Sequence, residues 1–128
     1  MASELRVNTL KDASGNNSVA TSVVANGSAK AWGLINGTGT VAIRDSFNIS
    51  GISDGGTGKI TVSISNSMGS ANYTATLRSD IDDAVQAARY YNPEIYTRAA
   101  GSFNLVTYSN SAEEDHAYID TAVHGDLA

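Results

Sequence analysis

Residues 59–64 read Lys-Ile-Thr-Val-Ser-Ile, so Ile60, Val62 and Ile64 alternate with Thr61 and Ser63. A period of two places one apolar and one hydroxylated face on an extended strand. The pattern returns along the chain. Tyr73, Ala75 and Leu77 alternate with Thr74 and Thr76; Val41 and Ile43, then Phe47 and Ile49, flank the polar break Asp45-Ser46; Phe103, Leu105 and Thr107 share a face, as do Ile119 and Val123. Between these segments stand Asn26-Gly27, Asn36-Gly37-Thr38-Gly39 and Asp54-Gly55-Gly56-Thr57-Gly58, which supply the positive φ that chain reversals need. Short alternating segments separated by such turns predict an all-β, antiparallel fold, each strand contributing half a core.

One stretch breaks this rhythm. Across residues 79–91, Ser79 suits an N-cap, Asp80, Asp82 and Asp83 fall in the first turn, Arg89 in the last, and Asn92-Pro93 stops continuation. This predicts one short helix, packed through Ile81, Val85 and Ala88. The N-terminal segment, positions 1–30, differs in another way. Leu5, Val7 and Thr9, then Val19, Thr21 and Val23, alternate, but residues 12–17 and 25–29 hold nothing large to pack. This segment is either outer strands of the same fold or an extended arm that gains order against another chain, and the shortage of apolar groups favours the arm. Leu5, Val7 and Leu10 are its expected attachment residues, able to add to a neighbour's strand edge. The expected division is therefore an attachment arm over 1–30 and a folded unit over 31–128.

Composition narrows the function. A chain of 128 residues supports one modest core. A net charge of −5 gives little support for tracking nucleic-acid phosphates. Without cysteine there are no disulfides, thiolate metal sites or thiol nucleophiles. No apolar run approaches the length of a spanning helix, and the opening residues lack a signal-peptide pattern, so neither membrane insertion nor secretion is expected. Ser, Thr and Asn together well outnumber the charged residues, which make up 16% of the chain, so the surface is polar through hydroxyls and amides.

From Ala31-Trp32 the chain continues through Asn36-Gly37-Thr38-Gly39-Thr40, Asn48-Ile49-Ser50 and Asp54-Gly55-Gly56-Thr57-Gly58 before an alternating strand, then Met68 shortly before Tyr73. This resembles the knob domain of tailed-phage fibre proteins, especially those of marine and cyanobacterial phages. Gly101-Ser102-Phe103 and the closing residues 120–125 also fit, and the start Ala2-Ser3-Glu4-Leu5-Arg6-Val7 is similar to that of many small virion proteins of such phages. The resemblance is strongest over residues 31–77 and departs at 79–91. It implies a β-sandwich knob, usually homotrimeric, without catalysis or cofactor, located on the virion after synthesis in the host cytoplasm, with other virion proteins as partners. A head decoration protein and a free carbohydrate-binding module are the alternatives. Trp32, a lone Trp between small residues, is expected to anchor the core.

Several motifs invite chemical readings. Gly51-Ile52-Ser53-Asp54-Gly55 matches the Gly-x-Ser-x-Gly elbow, but the elbow needs a strand-to-helix corner, and here a glycine-rich reversal follows. Gly55-Gly56-Thr57-Gly58-Lys59 is similar to a phosphate loop, yet Ile60 stands where the magnesium-holding Ser or Thr belongs. No catalytic residue is expected. Asp80, Asp82 and Asp83, with Glu113, Glu114 and Asp115, lack calcium-loop spacing and read as solvated acid. His116 and His124, separated by an even number of positions, are expected on one face of the last strand, where a three-fold axis would be needed to make a metal site; a surface histidine without metal is the simpler expectation. Tyr90, Tyr91 and Tyr96, with Tyr108 and Tyr118 later in the chain, stand among Ser, Thr and Asn and suit ring stacking and hydroxyl bonding, hence a host glycan or a packed neighbour, with Tyr90, Tyr91 and Tyr96 as the expected contact residues.

Overall fold

The computed structural model describes residues 3–82 and 90–128. Its elements in chain order are β1 (Thr9–Leu10), β2 (Val19–Ala20), α1 (Thr21–Gly27), β3 (Ala31–Asn36), β4 (Ala42–Phe47), β5 (Ile49–Asp54), β6 (Lys59–Ile64), β7 (Thr74–Asp80), β8 (Glu94–Ala99), β9 (Ser102–Val106), β10 (Tyr108–Ser109), β11 (Ala112–Glu113) and β12 (Tyr118–His124). Two four-stranded antiparallel sheets, ordered β4-β3-β12-β7 and β5-β6-β9-β8, share a single core. Ala31, Ile35, Ile119 and Val123 from the first pack with Ile60, Val62, Ile64, Phe103 and Leu105 from the second. The fold is thus all-β, a sandwich, as the alternation implied. Among the described residues no helix is long and apolar enough to cross a membrane.

The sheets are tied to each other by specific polar groups at their ends. Asn48, at φ +56°, is the single residue between β4 in one sheet and β5 in the other. Its amide donates to the carbonyls of Lys30 and Asn66 at 2.9 and 3.2 Å, and its Oδ1 accepts from the Asn66 N–H at 2.7 Å. Asn tolerates this left-handed conformation better than most side chains. Tyr73, just before β7, aims its hydroxyl at the carbonyls of Ala99 and Ser102, 3.1 and 3.0 Å away. Gly58 closes the β5–β6 hairpin at φ +69°, and a Cβ there would lie 2.7 Å from the Thr107 carbonyl oxygen. Only glycine satisfies both the backbone angle and that approach.

Three register shifts occur, skipping Arg44 opposite Leu34 and Ile35, Ser50 opposite Ile64 and Ser63, and Tyr96 opposite Leu105 and Asn104. Each falls on a strand at the edge of its sheet, where bulges twist an edge away from further pairing. They also reset which face a side chain occupies. Past Arg44, Phe47 stands opposite Trp32 on the outer face, whereas the half-buried Ile43 before it stands opposite the inward Ile35, and past Ser50 both Ile49 and Ile52 point inward despite their odd spacing.

Trp32 is consequently no core anchor. Ala31, Gly33 and Ile35 face inward on β3, leaving Trp32 outward and 40% exposed. The inward position next to it leaves no space for a ring, since even a Cβ on Gly33 would meet Ile49 Cδ1 at 2.7 Å. The largest fully buried side chain is Phe103.

The helix expected over 79–91 is not supported where it can be followed. β7 continues through Asp80, so Ser79 is a strand residue rather than a cap, and its inward position is taken by a bond to His116. Residues 83–89 of that expectation lie outside the described residues. The described helix is instead α1, within the N-terminal segment, and it buries none of its residues. β1 and β2 pair only with each other, and Leu5, Val7 and Leu10 are all exposed.

Candidate functional site

A short extended segment follows the undescribed residues and pairs with β10. The N–H of Asn92 donates to the Tyr108 carbonyl, the N–H of Asn110 donates to the Tyr90 carbonyl, both at 3.1 Å, and Tyr91 forms an antiparallel bridge with Ser109. Alternation across this pair sorts its side chains. Tyr90, Asn92, Tyr108 and Asn110 take one face, and with Glu94 and Ser111 they line an open cleft of about 650 Å³. Tyr91 and Ser109 take the other face, toward His116.

On that inner face, His116 is fully buried. Its Nε2 lies 3.1 Å from Ser109 Oγ, its Nδ1 lies 2.8 Å from Ser79 Oγ, and the Tyr91 ring meets it edge-on at 5.1 Å. Hydroxyls can donate or accept, so they satisfy both nitrogens of a buried imidazole. His116 therefore works as a joint between β7, β10 and the segment leading into β12. The even spacing to His124 did not put the two on one face, because the chain before Tyr118 is irregular: His124 points outward, whereas His116 points inward.

A strained turn forms one rim of the cleft. Between β10 and β11, Asn110 at φ +49° and Ser111 at φ +75° make a two-residue reversal without glycine, a conformation that costs about 1 kcal/mol or more per residue. Asn110 repays part of this through its side chain, whose Oδ1 accepts from the Tyr90 N–H at 3.2 Å. On the opposite wall Asn92 Nδ2 donates to Glu94 Oε1 at 2.8 Å. Beside Tyr108, Lys59 binds Glu113 at 2.8 Å, and that hydrogen bond raises the ammonium pKa above its ordinary value. Glu113 is therefore paired, and Asp115 Oδ1 accepts from the Gly58 N–H at 2.6 Å. Both acids have a structural partner and both stay exposed to solvent.

Of the three tyrosines singled out for glycan contact, only Tyr90 lines the cleft, and it is 83% exposed. Tyr91 packs on His116 with its hydroxyl buried and unbonded among the described residues. Tyr96, at the bulge of β8, is not among the residues that line the cleft. Asn110 was missed, although the period of two over Tyr108-Ser109-Asn110 is a usable signal once the partner strand is known.

The remaining motifs are structural. Ser53 is an exposed residue of β5 opposite Thr61, on a strand and not at a strand-to-helix corner. Gly55 to Lys59 form the β5–β6 hairpin, with Asp54 Oδ1 accepting from the Gly56 N–H at 2.8 Å.

A second unusual surface lies on the outer face of the β4-β3-β12-β7 sheet. Trp32 is cross-strand neighbour to Phe47 on one side and Ala122 on the other, and Phe47 is 54% exposed. A groove beside Phe47 runs past Leu127 to Ala25 and Lys30, where the N-terminal segment joins the sandwich.

No family model, curated protein or solved structure matches this chain.

Proposed function

We propose that this chain is a noncatalytic structural component of a phage virion appendage, a β-sandwich knob that assembles with copies of itself and is held to the particle by its N-terminal arm, positions 1–30. One observation carries the reading: a sandwich with a complete core leaves its only Trp, a neighbouring Phe and the apolar side chains of its arm in water. Apolar surface left exposed in this way, with Trp32 beside Phe47, supports an interaction site. The Trp32–Phe47 pair lies beside the root of the arm, so self-association and attachment would use one continuous side of the molecule. The resemblance to fibre knobs supplies the virion context and the expectation of three copies.

Light scattering on the full chain at micromolar concentration should give a trimer. Changing Trp32 and Phe47 together to Ser should release monomers that keep a cooperative unfolding transition. Removing residues 1–30 should leave the sandwich folded and abolish incorporation into particles. A compact monomer from the unaltered chain would refute the assembly reading, and undiminished incorporation without the arm would refute the attachment reading.

A further inference from the structure

We infer that the cleft between Tyr90 and Tyr108 is a binding site for a neutral sugar. The inference does not depend on the chain's place in a particle.

The first reason is the pairing of ring surface with uncommitted polar atoms. Tyr90 offers an almost fully exposed ring, and Tyr108 lies on the same face of the short strand pair. Around them, Asn92 Nδ2, Glu94 Oε1 and Asn110 Oδ1 are already bonded. These bonds fix the side chains and leave Glu94 Oε2, Asn92 Oδ1 and Asn110 Nδ2 without a hydrogen-bond partner among the described residues. A ligand that presents alternating acceptors and donors, with an apolar ring face between them, fits this set. A pyranose does so: its C–H face stacks on an aromatic ring, and each hydroxyl both donates and accepts.

The second reason is preorganisation. The polar atoms come from extended backbone and from a reversal that holds Asn110 and Ser111 at positive φ. Non-glycine residues kept in such a conformation cluster at ligand sites. A volume of about 650 Å³ is within the range that encloses small ligands.

Charge decides the class of sugar. The cleft's own ionisable carboxylate is Glu94, and the nearby Lys59 is engaged with Glu113. With a net charge of −5 on the chain, an acidic sugar would meet repulsion, and the described residues that line the cleft include no cation to offset it. Neutral hexoses and N-acetylhexosamines avoid this.

The test uses the full chain and immobilised multivalent conjugates of neutral mono- and disaccharides, with sialylated conjugates alongside, since single sites of this size bind weakly and repeated display amplifies them. Binding to at least one neutral conjugate, and to no sialylated one, is expected. Tyr90→Ala should weaken it about tenfold or more, a loss worth ~1.4 kcal/mol, and Glu94→Ala should weaken it as well. Tyr96→Ala, outside the cleft, should leave it unchanged. Thermal unfolding of each variant identifies any that has lost its fold; Tyr90 and Glu94, both exposed, provide two separate readings. Binding of no neutral conjugate, preference for sialylated ones, or binding indifferent to both Tyr90→Ala and Glu94→Ala would overturn the inference.

Discussion

The two outer faces of the sandwich handle exposure differently. On the β5-β6-β9-β8 sheet three side chains of the outer face bond one another: Thr61 Oγ1 donates to Asn104 Oδ1 at 2.6 Å, and Asn104 Nδ2 donates to Thr97 Oγ1 at 2.7 Å. Hydroxyl and amide run across three strands with their groups satisfied. On the β4-β3-β12-β7 sheet the corresponding row is Phe47, Trp32, Ala122 and Thr76; Thr76 Oγ1 donates to the Ala122 carbonyl at 3.4 Å, and among the described residues no side chain of the row bonds another. Below that row the same face carries Arg78 bound to Asp120 at 3.1 Å and to Asp80 at 3.2 Å, exposed pairs that contribute little. A polar ladder is a finished solvent surface, whereas the exposed aromatic pair is the surface that the proposed self-association would cover.

The comparison assumes that both faces rest on one core, and the largest expected effect tests that. Phe103→Ala empties the centre shared by the sheets and should cost about 3–5 kcal/mol in urea unfolding. Loss should appear as one shifted transition. Two separated transitions, one per sheet, would break the comparison at its base.

Next in size is Asn104→Ala, which removes both side-chain bonds of the polar ladder and should cost about 1 kcal/mol, because the groups left behind reach water. Its association state should equal that of the unaltered chain. If Asn104→Ala dissociated the assembly and the Trp32, Phe47 double change did not, the roles given to the two faces would be reversed.

The smallest effect is alkaline. Burial of Tyr73 raises its phenol pKa, and the Glu113 bond raises that of Lys59. A group whose pKa is higher folded than unfolded contributes fully below its unfolded value, about 10 for both types, and loses that contribution as pH rises through the folded value. Stability should therefore be flat near neutrality and fall above about pH 10. Tyr73→Phe should lower stability at neutral pH, through loss of the hydroxyl's contacts with Ala99 and Ser102, yet flatten the alkaline fall. An unchanged alkaline slope in that variant would remove Tyr73 as a cause.

Much of the fold was legible because alternation and turn chemistry are local. The strand over 59–64 has the bounds its pattern implied, the inward positions Phe103, Leu105, Ile119 and Val123 were correct, and the glycine-rich run before Lys59 is the hairpin it resembled. The strand Glu94–Ala99 was overlooked since its apolar members, Ile95 and Tyr96, are adjacent and conceal a period of two. The candidate site was only partly legible. Consecutive tyrosines at 90 and 91 cannot share one face of an extended segment, so the sequence could have separated them; Tyr108 and Asn110 join Tyr90 through strand pairing with no local signature.

By itself the sequence determined the β class, the positions of the glycine turns and a core drawn from alternating apolar residues, because each follows from backbone sterics and burial within a few residues. The tertiary structure alone decided which aromatic groups face out. Bulges opposite Leu34, Ile64 and Leu105 reverse the parity of their strands, and a bulge exists only relative to a partner strand. Trp32 went outward for a similar reason: β3 offers two faces, and the side chain of Ile49 from the opposing sheet fills the space against Gly33 on the inner one.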